Sequence, residues 1–191
     1  MRTFAFTISL VAATLTSAAS ITCDYTFFRA GWLSAVNNGP DGQVIPLWID
    51  YDTRQLVTSS DTTNGVWVYP CQSAAIGQPA MTVNAEDNTL SIYGQLQPWE
   101  WPNTLEGGCL TRSYVDGSVG LAPCETEDTL ERQETQFWHV VMNWEGAPQS
   151  GNATEVAFVK PGLYGDLVDS QWYESADKPY ASWSLLFKRA Q

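Results

Sequence analysis

Short runs of apolar residues recur along the chain, and no long window repeats them at helical spacing. Ile21 to Phe28, Trp32 to Val36 and Val44 to Ile49 read as strands, with the turn-rich Asn37-Asn38-Gly39-Pro40-Asp41-Gly42 before the last of them. From Leu56 onward, Gly, Asp, Asn and Pro signals return about every 8 to 15 residues, the spacing of many short strands. Asp87 to Trp138 holds four strand candidates, and His139-Val140-Val141-Met142 continues in the same manner. Val156 to Val159, Leu167 to Tyr173 and Trp183 to Phe187 supply the last ones. The pattern predicts an all-β chain.

Two segments break it. Gln95 to Gly107 carries Pro98-Trp99-Glu100-Trp101-Pro102, which cannot be a central strand because proline lacks the ladder donor. It reads as a loop, either folded onto the protein as a lid or projecting as an aromatic contact surface. Glu125 to Glu134, which Gln133 to Gln136 follows, is charged and reads equally as holding one helical turn or as a solvated acidic loop.

The N-terminus has a different character. Arg2, an apolar run from Phe4 to Leu15 and the small residues Ser17-Ala18-Ala19 predict a secretory signal over residues 1–19. The run is too short to span a membrane. Residues 20–191 suit one domain with its own core.

Charge narrows the function classes. The chain has 9 Lys and Arg against 21 Asp and Glu, and without Arg2 the balance after signal removal is −13. Such a surface repels nucleic acid and anionic lipid. The lone histidine, His139, cannot form a two-histidine metal site, and no cofactor motif is present. Acidic groupings such as Asp166 with Asp169, or Glu125, Glu127 and Asp128, are too common in an acidic chain to single out a catalytic pair, so no enzyme is expected. Asn152-Ala153-Thr154 is the one N-glycosylation sequon, and Asn152 is the expected acceptor. Cys23, Cys71, Cys109 and Cys124 form an even set suited to an oxidising compartment, with three connectivities open.

The middle of the chain carries a family resemblance. Asp87-Asn88-Thr89-Leu90, Cys109-Leu110-Thr111, Gly117-Ser118-Val119, Pro123-Cys124 and Gln136-Phe137-Trp138 follow in the order found in one repeat of the ricin-B-type (QxW) β-trefoil lectins. Gln55 to Thr58, Asn64 to Cys71 and Gln78 resemble an upstream copy, and Val168 to Trp172 with Trp183 to Leu186 a downstream one. The resemblance implies a single β-trefoil with degenerate repeats over roughly 50–86, 87–142 and 143–188, the alternative being another β-barrel or a β-sandwich. It also implies a bridge from Cys109 to Cys124, which leaves Cys71 for Cys23.

The family's sugar sites lay an aromatic ring under the sugar and ring it with polar groups. On that pattern Tyr69 and Trp172 are the candidate platforms, with Gln78, Asp61 and Asn64 as polar partners, whereas Ala122 leaves the middle unit without one. Val57 and Thr111 stand where the family carries an aspartate, so the standard polar set is incomplete. The tryptophan of Gln-x-Trp is a core residue in the family and its glutamine bonds locally. The resemblance therefore implies a secreted, non-catalytic protein that binds glycans. The competing expectation is a secreted factor that binds an extracellular protein, such as a protease inhibitor, through loops on the same scaffold.

Overall fold

The computed structural model describes residues 19–26, 29–37, 40–60, 65–99, 108–143, 153–158, 164–168, 171–174 and 183–189, with the backbone course alone over 153–184. These residues form fourteen strands and one short helix. The strands are β1 (Thr22–Cys23), β2 (Arg29–Asn37), β3 (Val44–Asp50), β4 (Gln55–Thr58), β5 (Val66–Gln72), β6 (Met81–Asn84) and β7 (Thr89–Pro98). They continue with β8 (Cys109–Arg112), β9 (Val119–Ala122), β10 (Trp138–Asn143), β11 (Ala153–Phe158), β12 (Tyr164–Val168), β13 (Gln171–Glu174) and β14 (Trp183–Arg189). Helix α1 (Leu130–Gln136) lies between β9 and β10, and Thr129 caps it by accepting the Arg132 amide at 3.3 Å. The all-β class is thus observed, and the ambiguous acidic segment contains a helix.

All the ladders are antiparallel. The strand order runs β11-β10-β7-β5-β2-β14-β12-β13-β4-β9-β8, with β3 joining β2 to β4, β1 added to β5, and β6 added to β7. Strands β11 and β14 also lie beside each other, with Cα atoms within 8 Å. Three hairpins, β3–β4, β8–β9 and β12–β13, come together where Gln55 pairs with Gly120 and Val57 with Gln171.

Alternation along the central strands divides inside from outside. Val66 and Val68 of β5, Leu90, Ile92 and Leu96 of β7, and Trp138, Val140 and Met142 of β10 all point into one hydrophobic core, which Leu33, Ala35, Leu185 and Phe187 extend from β2 and β14. Hairpin residues Leu47, Ile49, Leu56, Leu110, Val119 and Leu121 close it at the other end. Fully burying one such aliphatic side chain contributes about 1.5–3 kcal/mol. Two glycines let backbones meet. A Cβ on Gly94 would stand 1.8 Å from the Tyr69 carbonyl oxygen, and one on Gly120 would stand 2.4 Å from that of Arg54.

Three expectations change. Strand β7 runs through Gln95 and Gln97 to Pro98, so the insertion begins after Pro98 rather than at Gln95. Proline is tolerated there because it is the terminal strand residue. Among the described residues of the segment read as a strand from Ile21 to Phe28, only the two-residue β1 is a strand. In the last third, the single strand expected over Leu167 to Tyr173 is two antiparallel ones, with Leu167 facing Trp172.

Disulfides join Cys23 to Cys71 and Cys109 to Cys124. Both fit an oxidising extracellular setting. Among the described residues, no helix is long and apolar enough to cross a membrane.

Candidate functional site

On β5 and β7 the residues facing away from the core are unusually polar for buried positions. Tyr69 is 2% exposed, and Gln95 and Gln97 are each 1% exposed. Their cover comes from outside these two strands. The chain from Ala19 to Tyr25 crosses them as a strap: Ile21 N–H donates to Thr126 O at 3.0 Å, Asp128 N–H to Ala19 O at 2.9 Å, and Asp24 N–H to Pro70 O at 2.8 Å. The Cys23–Cys71 bridge anchors it covalently. Tyr25 then rests on Tyr69, ring centroids 5.0 Å apart.

Each glutamine lies against one disulfide. Gln95 Nε2 donates to Glu125 O at 3.1 Å while its Oε1 sits 3.7 Å from Cys23 Sγ. Gln97 Nε2 points at Cys124 Sγ and Cys109 Sγ, at 3.5 and 3.6 Å. Burial pushes the Tyr69 phenol up to about 12, with Tyr25 adding to the effect. Burial likewise raises Tyr25, and the Gln97 side chain opposes that rise. The layer is a closed polar seam between strap and strands, and Tyr69 offers no open face for a ligand to lie on.

The remaining predicted site residues do not gather around it. Gln78 is exposed on the loop after β5, bridged to Ser73, with its carbonyl accepting from Gln72 Nε2 at 3.4 Å. Trp172 belongs to β13, in another unit of the chain. Asp61, Asn64 and Asn152 lie outside the described residues. Strand β4, which begins at Gln55, is the second strand of its hairpin, as β9 is; β8, which carries Cys109, is the first. Gln55 and Cys109 therefore hold different places in their hairpins, and Tyr69-Pro70-Cys71 lies on β5, beyond the hairpin.

The Gln-x-Trp triplet works internally. Trp138 is fully buried and donates through Nε1 to Leu110 O at 3.0 Å. Gln136 accepts Glu125 N–H at 2.8 Å and donates to Thr111 Oγ1 and Pro123 O, both at 2.8 Å. Thr111, at the family's aspartate position, donates its own hydroxyl to Cys109 O at 2.8 Å. Donor and acceptor are both used within the protein.

Trp99 folds down rather than projecting: its indole donates to Val66 O at 3.1 Å and its ring contacts Trp32 and Trp67. The crevice lined by Leu33, Leu47, Trp48, Ile49, Tyr51, Leu56, Gly65 and Val66 is too narrow to hold a water molecule. Among the described residues no grouping of His, Cys, Asp and Glu could hold a metal ion.

Among the described residues, exposed apolar side chains include Met81 and Val83 on β6, and the most exposed of all lies on a hairpin tip. At the tip of hairpin β8–β9, Val115 is 95% exposed and Tyr114 53%, and Leu130 at the start of α1 is 48% exposed. The turn is held by Ser113 N–H to Ser118 O at 2.8 Å, Gly117 N–H to Ser113 O at 3.0 Å and Val115 N–H to Ser113 Oγ at 3.2 Å. Asp116 Oδ1 accepts the Ser118 amide and hydroxyl at 3.0 and 2.8 Å, and these bonds lower its carboxyl below the usual range. The Tyr114 hydroxyl donates to Glu131 O, fastening tip to helix. A sequence signal for this surface exists: two apolar residues directly before Asp116-Gly117, where hairpin turns are ordinarily polar.

Comparison with known proteins gives no match: no family model, no curated protein and no solved structure aligns with this chain.

Proposed function

We propose that this is a secreted, non-catalytic binding protein built as a divergent β-trefoil, and that its ligand is an extracellular protein rather than a glycan. The trefoil reading is supported by a repeated four-strand pattern: β2–β5, β7–β10 and β11–β14 each begin and end with a strand of the ring β11-β10-β7-β5-β2-β14 and carry one hairpin between them. The neighbourhood of β11 and β14 favours closure of that ring. In this frame the first unit starts at Arg29, upstream of residue 50, which explains why Gln55 and Cys109 do not align.

The observation that carries the ligand class is a contrast in exposure. Tyr69, the better matched of the two aromatic platforms implied by the family resemblance, is 2% exposed, while Val115 on a hydrogen-bonded turn is 95% exposed. A shallow sugar site needs an open ring with convergent polar groups. A protein partner needs a preorganised apolar anchor.

A glycan array with the disulfide-intact mature protein tests this, run beside Tyr69→Ala and Trp172→Ala. The expected result is no selective glycan binding by any of the three. Selective binding by the wild type that either substitution abolishes restores carbohydrate recognition and overturns the protein reading.

A further inference from the structure

We infer that the tip of hairpin β8–β9, Tyr114 and Val115 together with Leu130 of α1, is a preformed knob that docks into an apolar, cation-rimmed pocket of a partner protein. The inference rests on the protein-binding reading above and names the surface and the partner's chemistry.

Rigidity is the first support. Exposed apolar side chains on a loose loop lose conformational freedom on binding, a cost that a preformed turn largely avoids. Here the turn is closed by backbone bonds from Ser113 to Ser118 and from Gly117 to Ser113, and by side-chain bonds from Ser113 and Asp116. Gly117 takes the left-handed conformation, φ 75°, that the turn requires. Behind the tip, the Cys109–Cys124 bridge ties the two hairpin strands together at their far ends. Tyr114 is fastened to α1 through the carbonyl of Glu131, the residue after Leu130.

The turn's shape excludes one class of partner contact. With Gly117 N–H bonded to Ser113 O, Tyr114 to Asp116 form a tight turn rather than an extended segment. An extended peptide cleft, of the kind that adds a strand or binds a substrate backbone, cannot accept it. A pocket that receives side chains can.

Charge supplies the rim. Asp116 follows Val115 directly, and the phenol of Tyr114 is raised first by burial and then by the nearby charges of Glu134 and Glu131, with Arg112 and Arg132 opposing. Arg132 is engaged by Glu125 at 2.8 Å. With a formal net charge of −12 for the whole chain, a cationic rim is attracted, whereas a second copy or an anionic surface is repelled.

The test uses a random library of disulfide-cyclised peptides displayed on phage, panned against the immobilised mature protein with both disulfides intact. Selected peptides are expected to combine aromatic or aliphatic residues with Lys or Arg and to weaken as salt rises. Their affinity should fall at least about tenfold against Val115→Asp and against Leu130→Ser, yet hold against Val83→Asp, a control on the exposed strand β6. Val115 contributes nothing to the core, and unchanged thermal unfolding of Val115→Asp checks its fold. Binders indifferent to Val115→Asp, binders without cationic residues, or a library that yields none would each overturn the knob. Binders that map to another surface leave the protein-binding reading intact, whereas a positive glycan array removes that reading itself.

Discussion

Tyr25 meets Tyr69 edge-on, with centroids 5.0 Å apart and ring planes at 62°. One ring belongs to the strap and the other to the sheet face beneath it. The contact explains how a tyrosine on the outward side of β5 comes to be buried.

Replacing the covering ring should expose its partner. Tyr25→Ala is expected to lower unfolding free energy by about 1–3 kcal/mol, since an edge-on aromatic pair contributes about 0.5–1.5 kcal/mol beyond its burial. The midpoint of denaturant unfolding reads the loss. Nitration of Tyr69, mapped by mass spectrometry, should be slow in the wild type and fast in the variant.

Alkaline pH should act through the same pair. Tyr69 titrates near 10 when unfolded and is pushed up to about 12 when folded, so the folded state holds its proton more tightly. The stabilisation is complete below about pH 10 and is lost as pH rises through 12. Unfolding free energy should therefore fall across that window, and Tyr69→Phe should flatten the fall. Phenolate absorbance recorded alongside denaturant melts tests both.

Asp128 pins the loop after β5 to the segment before α1. Its carboxylate accepts the Ser73 hydroxyl at 2.5 Å and the Ala74 amide at 2.6 Å, while its own amide donates to Ala19 O. Asp128→Ala should cost about 1–3 kcal/mol by leaving those donors without an acceptor. Amide exchange should accelerate at Ala74 and Ile76, whose N–H reaches Ser73 Oγ at 3.1 Å, but not at Asp128 itself. Equal acceleration at both places would mean that the carboxylate does not act locally.

The two bridges should differ in weight. Cys23–Cys71 spans 48 residues and Cys109–Cys124 spans 15. Chain entropy alone assigns about 4 kcal/mol to the first and about 3 kcal/mol to the second. Paired Cys→Ser substitutions, each melted separately, should reproduce that order. Losing the first should also speed exchange at Ile21 and Asp24, the strap amides bonded to Thr126 and Pro70.

Much of this architecture is legible in local pattern. Val66 and Val68, or Leu90 and Ile92, alternate with outward residues as a half-buried strand requires. Gln-x-Trp is legible too, because its bonds run to nearby segments. Of the features set by residues distant in sequence, the two disulfides are implied by the family resemblance, but the cover over Tyr69, Gln95 and Gln97 is not legible. Nothing near Tyr69 announces Tyr25, and Gln95 and Gln97 look like loop residues until the strap and the two disulfides cover them. Pro98 looks like a strand breaker because its position at a strand terminus depends on its pairing with Val66. The exposed tip has a different kind of signal: Tyr114 and Val115 carry no periodicity, and only their place directly before the Asp116-Gly117 turn marks them.

The ladder between β2 and β14 pairs Gly31 with Arg189 through Asn37 with Trp183, the longest register in the sheet. A nascent chain must therefore hold β2 without that partner until Trp183–Arg189 has left the ribosome. Nonlocal closure of this kind slows folding and leaves strand edges open to other chains meanwhile. Premature termination before Trp183 should yield aggregate rather than a smaller folded protein, and folding of this protein should depend heavily on chaperones that shield waiting strands.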